Sequence, residues 1–183
     1  MARSPRYRTA VSAVIWINGP FGVGKTTVAE RVAQSLKEAI VFDPELVGSI
    51  LRMIVPPDLH EDDYQDMPIW RSLVRDTTTT LLSSYQRPVI VPMTLLVPAY
   101  FHEIVGDLRL SGIDVAHFTL LATPETVRER LEARGDSKEW ALAQLPRCLP
   151  ALENELFAEH VTTDRRSADE VAELILTSLR AMH

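Results

Sequence analysis

Five short segments of the chain are rich in Val, Ile and Phe, and none of them alternates cleanly between apolar and polar residues. This pattern is typical of parallel strands that are buried on both faces of a sheet. The predicted strands are Ala13–Asn18, Ala39–Asp43, Pro88–Thr94, Val115–Ala122 and His160–Thr163.

Apolar residues between these strands repeat every three or four positions, which is the spacing of one buried helix face. The clearest helical patterns are Lys25–Glu38, Pro98–Ser111 and Pro124–Arg134, and a last helix opens with the capping box Ser167–Glu170. Alternating strands and helices predict an α/β fold with a five-stranded, mostly parallel sheet. Because no repeat, linker or low-complexity tract interrupts the pattern, residues 1–183 are expected to form a single domain.

The amino-acid composition argues against several classes of protein. The 183 residues carry a formal net charge of −6, which argues against nucleic acid as a partner because nucleic-acid-binding domains usually present a basic face. The one cysteine, Cys148, excludes an intramolecular disulfide and a cysteine-based zinc site. No apolar run approaches the roughly 18 residues of a membrane span. We therefore expect a cytoplasmic protein without stable membrane insertion.

The chain has only seven glycines and three lysines, and three of the glycines lie next to one of the lysines. The segment Gly19–Thr26 matches the phosphate-loop motif G-x-x-x-x-G-K-[ST] in full, between a predicted strand and a predicted helix. In such a loop backbone N–H groups surround phosphate, Lys25 reaches the β- and γ-phosphates, and the Thr26 hydroxyl ligates magnesium. The predicted nucleotide-binding residues of the loop are Gly19, Pro20, Phe21, Gly22, Val23, Gly24, Lys25, Thr26 and Thr27. ATP and Mg²⁺ are the expected cofactors, and Lys25 is also predicted to be catalytic.

Asp43 follows the second predicted strand, at the carboxyl edge where open α/β sheets build their sites. We predict that Asp43 lies near the phosphate loop, with strand two neighbouring or flanking strand one. There it would accept a proton from a substrate hydroxyl or hold a magnesium-bound water. Helix capping is the alternative for an aspartate before a proline, and the two roles can coexist.

The third predicted strand lacks the acidic residue of a Walker B strand. Its absence favours a small-molecule kinase over an ATPase or motor, which usually need that aspartate to position metal and water. Thr94, at the end of this strand, is predicted to contact substrate or water, although an ordinary strand-end residue fits the pattern equally well.

Region 128–147 combines a helix, a polar loop and a second helical stretch, which is the position of the lid in small P-loop kinases. A lid brings arginines to the transferring phosphoryl group and excludes water. Because Arg128 and Arg130 do not share a helix face, we predict Arg134 as the catalytic arginine and Arg147 as a nucleotide-binding one. Surface exposure is the alternative for each arginine. The adenine is expected beside Thr163–Arg166, after strand five.

Residues 48–87 are predicted to form the acceptor-binding helical insertion of such a kinase. The predicted substrate-binding residues are Asp43, Arg52, Gln65, Trp70, Arg71 and Thr94. The two arginines would hold a phosphate or carboxylate, and Gln65 would form hydrogen bonds. Trp70, together with Tyr64, would stack on a flat group, with packing in the core as the alternative for Trp70.

Several motifs resemble those of the tunicamycin resistance proteins. They are Ile15-Trp16-Ile17-Asn18-Gly19, Phe42-Asp43-Pro44-Glu45, Leu51-Arg52-Met53, Pro68-Ile69-Trp70-Arg71, Ile90-Val91-Pro92-Met93-Thr94, His117-Phe118-Thr119-Leu120 and Arg147-Cys148. The resemblance spans Val14 to Ile175 and implies a P-loop kinase-like, three-layer fold. It also implies an ATP-binding protein that confers resistance to tunicamycin, a nucleoside antibiotic built on uridine.

The resemblance further implies kinship with antibiotic phosphotransferases and nucleoside monophosphate kinases. In that light Asp43 is similar to the general base of chloramphenicol phosphotransferases, which also follows strand two. Some similar proteins continue past the last helix with a basic amphipathic segment that associates with membrane. Because this sequence ends at His183, we do not expect membrane attachment.

Three functional hypotheses follow from these residues. The first is an ATP-dependent phosphotransferase that acts on a hydroxyl of a nucleoside-like small molecule such as tunicamycin. The second is an ATP-binding protein that sequesters tunicamycin without modifying it. The third is a metabolic nucleotide or metabolite kinase. Each is compatible with a monomer or a homodimer.

Overall fold

A parallel β-sheet forms the centre of the protein in a computed structural model that describes residues 13–134 and 138–182. The strands are β1 (Val14–Asn18), β2 (Ile40–Val41), β3 (Val89–Pro92), β4 (Val115–Leu121) and β5 (His160–Thr162). Their order across the sheet is β2-β3-β1-β4-β5, and every neighbouring pair is parallel. The predicted five-stranded sheet is confirmed.

Helices connect the strands in the predicted alternation. They are α1 (Lys25–Ser35), α2 (Glu45–Ile54), α3 (Pro68–Tyr85), α4 (Pro98–Phe101), α5 (Asp107–Leu110), α6 (Pro124–Arg134), α7 (Lys138–Leu152) and α8 (Ala168–Ala181). A π-helical segment, His102–Gly106, joins α4 to α5, so the helix predicted over 98–111 is present with a wider central turn. Three short 3₁₀ turns are Pro57–Leu59, Tyr64–Asp66 and Glu155–Phe157.

The capping box predicted at the start of the last helix is present in α8. The Ser167 hydroxyl accepts a hydrogen bond from Glu170 N, and the Glu170 carboxylate accepts one from Ser167 N at 2.7 Å. Two backbone N–H groups at the helix start therefore have side-chain partners.

β1 is buried along its whole length, and its side chains alternate between two cores. Trp16 packs on one face of the sheet with Trp70 of α3 and Phe101 of α4. Ile15 and Ile17 pack on the other face with residues of α1, α6 and α8. A sheet covered by helices on both faces is the three-layer architecture predicted from the sequence.

The strand order places the predicted site residues. β1 leads into the phosphate loop and β2 leads into Asp43, so both lie at the carboxyl edge of the sheet. β2 does not neighbour β1, because β3 lies between them. With strands about 4.8 Å apart, β1 and β2 are about 10 Å apart, a gap that bound phosphate and substrate groups can fill.

Among the described residues, no helix combines the length and apolar character needed to cross a membrane.

Candidate active site

The phosphate loop connects β1 to α1 in a conformation that depends on glycine. Gly22 and Gly24 have φ values of 81° and 104°, in the left-handed region that side chains disfavour. A Cβ on Gly22 would lie 2.6 Å from Leu131 Cγ, so glycine also permits the close approach of α6. Gly24 has no side chain to cap α1, which leaves the backbone N–H groups of the first turn directed at the loop as an anion site.

Two buried polar side chains hold the start of this loop. Asn18 Oδ1 accepts hydrogen bonds from Gly19 N at 2.8 Å and Leu95 N at 2.9 Å, and its amide donates to Leu95 O. The Thr94 hydroxyl donates to Gly19 O at 2.8 Å. Thr94 and Leu95 come shortly after β3, so these bonds connect the phosphate loop to the end of that strand.

The placement of Thr94 corrects its predicted role as a substrate or water contact. Its side chain is buried and its hydroxyl hydrogen is already donated beneath the loop, so Thr94 positions the loop backbone. Asn18 was not predicted as a site residue. The available signal was an amide side chain at the end of an otherwise apolar strand, directly before the phosphate loop.

Lys25 lies within the loop. Its ammonium donates hydrogen bonds to Gly19 O and Pro20 O, both at 3.0 Å, and lies 5.4 Å from the centroid of the Phe21 ring. Thr26 is exposed at the start of α1, where a magnesium ligand would be needed. No group of three or more His, Cys, Asp or Glu side chains that could hold a metal occurs within the described ranges.

Two cavities meet at the phosphate loop, and Gly22 lines both. The first, which we call the β5-side cavity, has a volume of about 320 Å³. It is lined by Gly22, Val23, Gly24, Thr27, Val28, Arg130, Ala133, Thr163, Arg166, Ala168 and Val171. The second, the α2-side cavity, has a volume of about 560 Å³. It is lined by Phe21, Gly22, Glu45, Arg52, Asp62, Asp63, Tyr64, Gln65, Leu131, Trp140 and Ala141.

Arg130 connects three segments of the β5-side cavity wall by hydrogen bonds. Its guanidinium donates to Val23 O at 3.0 Å and to both the hydroxyl and the carbonyl of Thr163 at 2.9 Å, joining α6, the phosphate loop and the end of β5. Sequence reasoning ranked Arg130 below Arg134 and Arg147, because helical periodicity alone could not show which face of α6 packs on the sheet. Thr163 and Arg166 line the cavity, in the region expected to lie beside the adenine.

The structure describes the side chain of only one of the two arginines predicted in the lid. Arg147 is exposed on α7 and does not line either cavity in the part of the chain that the structure describes. The side chain of Arg134 lies outside the described residues, as do residues 135–137. Their roles at the phosphates stay predictions.

Asp43 is partly buried at the end of β2, and its Oδ1 accepts a hydrogen bond from Glu45 N at 2.9 Å. The helix-capping role is thus present, and the catalytic role stays a prediction. Glu45, which sequence reasoning did not select, lines the α2-side cavity. Burial raises the pKa of Glu45, the charge of Asp43 raises it further, and the charge of Lys25 lowers it. The two carboxylates and the loop ammonium therefore act on one another across this edge of the sheet.

Only some of the substrate-binding residues predicted in the insertion line the α2-side cavity. Arg52 and Gln65 line the α2-side cavity, and Tyr64 adds an aromatic wall. Trp70 does not contact a ligand there, because its side chain is 0% exposed and its indole N–H donates to Pro44 O at 3.1 Å. The core-packing alternative is correct for Trp70, which supports the turn after Asp43.

Arg71 is also wrongly predicted as a contact to substrate phosphate or carboxylate. It is buried, its Nε forms an ion pair with Glu103, and its Nη1 donates to Gln65 O. Its guanidinium lies 4.2 Å from the centroid of the Tyr100 ring. With these partners satisfied, Arg71 holds the insertion against the helix after β3.

One aromatic contact joins the phosphate loop to α7. The rings of Phe21 and Trp140 meet edge to face, with centroids 4.7 Å apart and planes at 70°. Both residues line the α2-side cavity, and Trp140 is still 54% exposed. Trp140 was not predicted as a site residue, since nothing in the local sequence of α7 indicates its partner.

A glycine-rich loop between β1 and α1, at the carboxyl edge of a sheet of order β2-β3-β1-β4-β5, defines a P-loop kinase-like protein. Residues 14–153 match a protein-family model described as an AAA domain. No curated protein sequence matches the chain.

Solved structures place the chain within this class. It is 35% identical to the tunicamycin resistance protein of Deinococcus radiodurans, over 91% of this chain and 95% of that one, with a TM-score of 0.77. The chain belongs to the tunicamycin resistance protein family, as its motifs predicted.

More distant structures share the fold alone. A gluconokinase from Sinorhizobium meliloti is 20% identical, covering 94% of each chain, with a TM-score of 0.66. The APS kinase of Mycobacterium tuberculosis, in complex with AMPPNP and APS, is 20% identical over 91% of this chain and 96% of that one, with a TM-score of 0.60.

Proposed function

We propose that this protein is an ATP-dependent phosphotransferase that acts on a hydroxyl of a nucleoside-like small molecule, with tunicamycin as the first candidate. One observation carries the proposal: the two cavities lie on either side of the phosphate loop and share Gly22. A nucleotide in one cavity and an acceptor in the other would meet over the loop. The name of the relative from Deinococcus radiodurans supports the choice of tunicamycin.

The nucleotide would occupy the β5-side cavity and the loop. Its base and sugar would lie beside Arg130 and Thr163, in a volume near the lower end of that typical for small-molecule sites. Its phosphates would accept hydrogen bonds from the loop and from the first turn of α1, and Lys25 would neutralise the β- and γ-phosphates. Thr26 would ligate magnesium, which when bound neutralises charge on the phosphates.

The acceptor would occupy the α2-side cavity. Its hydroxyl oxygen forms a bond to the γ-phosphorus, the bond to the β–γ bridging oxygen breaks, and ADP leaves with that electron pair. The hydroxyl proton passes to the Asp43 carboxylate, which lies at the same edge of the sheet as the loop. The insertion 48–87 would hold the acceptor. The lid 128–147, with Arg134 and Arg147, would shield the reaction from water.

The test is incubation of the protein with ATP, Mg²⁺ and tunicamycin, followed by mass spectrometry of the drug. The wild-type chain is expected to add one phosphoryl group per drug molecule. Asp43→Asn is the sharpest variant because asparagine keeps the oxygen that accepts from Glu45 N and so retains the helix cap. Turnover should fall about 10²- to 10⁴-fold, the usual contribution of a general base, while ATP affinity stays unchanged.

Asp58→Asn is the matched control. Asp58 is an exposed carboxylate in the 3₁₀ turn Pro57–Leu59 of the insertion 48–87, and it does not line the α2-side cavity among the described residues. Its replacement should leave turnover within about twofold, as for a surface substitution. Unmodified tunicamycin, under conditions in which both ATP and the drug bind, would refute transfer to this acceptor.

Sequestration of the drug is the second candidate function. The observation in its favour is that the Asp43 carboxylate is already engaged as the cap of α2. A sequestering protein would protect its target only in stoichiometric amounts, and Asp43→Asn would leave that protection intact. Titration of protein against a fixed amount of tunicamycin therefore separates the two functions.

A further inference from the structure

The wall of the α2-side cavity has an uneven charge. Among the described residues that line it, three are carboxylates, Glu45, Asp62 and Asp63, and one is a guanidinium, Arg52. Charges facing one partly enclosed cavity are screened less than charges on an open surface. The cavity therefore presents a net negative wall to whatever molecule enters beside the phosphate loop.

The positive groups nearby are fewer than the carboxylates, and each of them also bonds to a protein group. Arg52 donates to Asp62 O at 3.0 Å and its guanidinium lies 6.0 Å from the centroid of the Tyr64 ring. Arg71, the other arginine predicted to hold a phosphate or carboxylate, is paired with Glu103 outside the cavity. Lys25 donates to loop carbonyls at the site expected to bind the phosphates of ATP. An anionic acceptor would therefore meet carboxylates without a matching cluster of cations in the described wall.

The pKa of Tyr64 responds to this negative field. Its hydroxyl has a raised pKa, mainly because of burial and further because of Glu45, Asp63 and Asp43, with Arg52 acting in the opposite direction. The carboxylates thus act on the interior of the cavity in addition to its rim. A second anion placed there would be repelled by the same groups.

Gln65 indicates which ligand groups the cavity does accept. Its side chain is 7% exposed and lines the cavity, yet the described residues give its amide no hydrogen-bond partner; only its backbone N–H and carbonyl are bonded. An unpaired amide in such a place is suited to an uncharged hydroxyl or carbonyl group of a ligand. The neighbouring carboxylates can accept hydrogen bonds from hydroxyl groups, and the Phe21 and Trp140 rings offer apolar contact.

We propose that Glu45, Asp62 and Asp63 form a charge filter, so that the α2-side cavity admits uncharged, hydroxyl-bearing acceptors and rejects acceptors that carry a phosphate. This inference rests on the proposed function and assigns specificity-determining residues to the same site. It distinguishes the protein from a nucleoside monophosphate kinase, because an acceptor phosphate is best bound by positively charged groups.

Binding is measured by calorimetry on the full chain, saturated with a non-hydrolysable ATP analogue and Mg²⁺. Uridine and uridine 5′-monophosphate are the probes because they differ only by the phosphate. Uridine is expected to bind at least about tenfold more tightly, and added salt should narrow the difference because it screens the repulsion.

The double variant Asp62→Asn/Asp63→Asn removes two charges of the filter. Asp63 Oδ1 accepts from Gln65 N at 3.0 Å, and asparagine keeps that acceptor, so the turn that presents Gln65 is retained. The variant should reduce the preference for uridine about tenfold, mainly by improving binding of the monophosphate. Asp58→Asn, one charge removed outside the cavity, is the matched control and should leave the preference within about twofold.

Equal or tighter binding of the monophosphate to the wild-type chain would overturn the charge filter, and so would failure of uridine to bind. A double variant whose preference matches that of Asp58→Asn would also overturn it. A clear preference for uridine without phosphorylation of any acceptor would support the filter and refute the proposed transferase activity, so the two failures are distinguishable.

Discussion

The phosphate loop and the wall of the α2-side cavity are built in different ways. The loop offers backbone N–H groups, and buried side chains such as Asn18 and Thr94 fix it to the neighbouring strand. The cavity wall offers charged side chains from the start of α2 and from the long insertion, most of them exposed. A triphosphate is the same in every reaction, so a rigid backbone site suits it, whereas an acceptor differs between proteins and is recognised by side chains that change freely.

Removal of the Lys25 ammonium should have the largest effect on turnover and only a small effect on thermal unfolding. Lys25→Met should lower turnover about 10²- to 10³-fold, as for loss of one electrostatic contact to a transition state. Steady-state kinetics measures the loss, with the exposed Lys37→Met as control. Thermal unfolding should change much less than turnover, because the hydrogen bonds of the Lys25 ammonium to Gly19 O and Pro20 O contribute only modestly to stability. Equal turnover in both variants would contradict the role of Lys25.

Loss of the buried amide should affect folding and nucleotide binding together. Asn18→Ala leaves Gly19 N and Leu95 N without their side-chain acceptor and should lower the free energy of unfolding by about 2–4 kcal/mol. Urea denaturation measures this change, and ATP affinity should fall because the loop is less well fixed. Asn154→Ala removes an amide that accepts from Leu156 N at an exposed 3₁₀ turn, and it should cost about 1 kcal/mol. Equal losses in the two variants would contradict the bracing role of Asn18.

A substitution that disturbs the wall of the α2-side cavity should leave ATP affinity unchanged. A Cβ on Gly48 would lie 2.6 Å from the ring of Tyr64, so Gly48→Ala should displace that ring and cost about 1–3 kcal/mol of stability. Uridine affinity should fall and ATP affinity should not, as measured by calorimetry. Gly106→Ala is the control, because its Cβ would be 3.6 Å from His102 in ordinary contact. A parallel fall in ATP affinity would show that the two regions are coupled.

The effect that is smallest per step of the measurement concerns pH, and it acts through a residue of β4 outside both regions. His117 is buried; its Nδ1 donates to Ala158 O at 3.0 Å, and Nε2 has no partner among the described residues. Desolvation by burial lowers the pKa of His117 from 6.5 to about 4. Because the unfolded chain binds this proton more readily, the free energy of unfolding should decrease as pH falls, by about 1 kcal/mol per pH unit between pH 6.5 and 4. That contribution is fully present above pH 6.5.

Urea denaturation across this pH range tests the effect. His117→Asn, which keeps a donor toward Ala158 O, should flatten the pH dependence, whereas His102→Asn at an exposed position should not. An unchanged slope in the His117 variant would show that other groups cause the acid sensitivity.

The difference between the two regions also explains what the sequence could predict. The loop is contiguous, and its chemistry lies in the backbone, so Gly19–Thr26 could be placed from eight adjacent letters. Asp43 could be placed at the correct edge of the sheet because parallel strands end on one side. The spacing between β2 and β1 could not be predicted, because strand order depends on packing between distant segments.

Errors occurred where a side chain finds its partner far along the chain. Trp70 bonds to Pro44, Arg71 to Glu103 and Thr94 to Gly19, and each of these pairs is at least 26 positions apart. Residue type correctly indicated polar or aromatic function in each case, but it could not show whether the partner was a ligand or the protein itself. The same limit applies to Arg130, whose partners lie in the loop and after β5.

The only cysteine of the chain is a natural reporter of how often α7 moves. Cys148 is buried in α7, the same helix whose Trp140 rests on Phe21, and burial raises the pKa of its thiol. A thiol reagent can reach Cys148 only when the packing that buries it opens, so the labelling rate measures the frequency of that local opening. A second cysteine introduced on the surface would react without any opening. The fast labelling rate would then belong to the surface cysteine and the slow rate to Cys148, so one sample would give both.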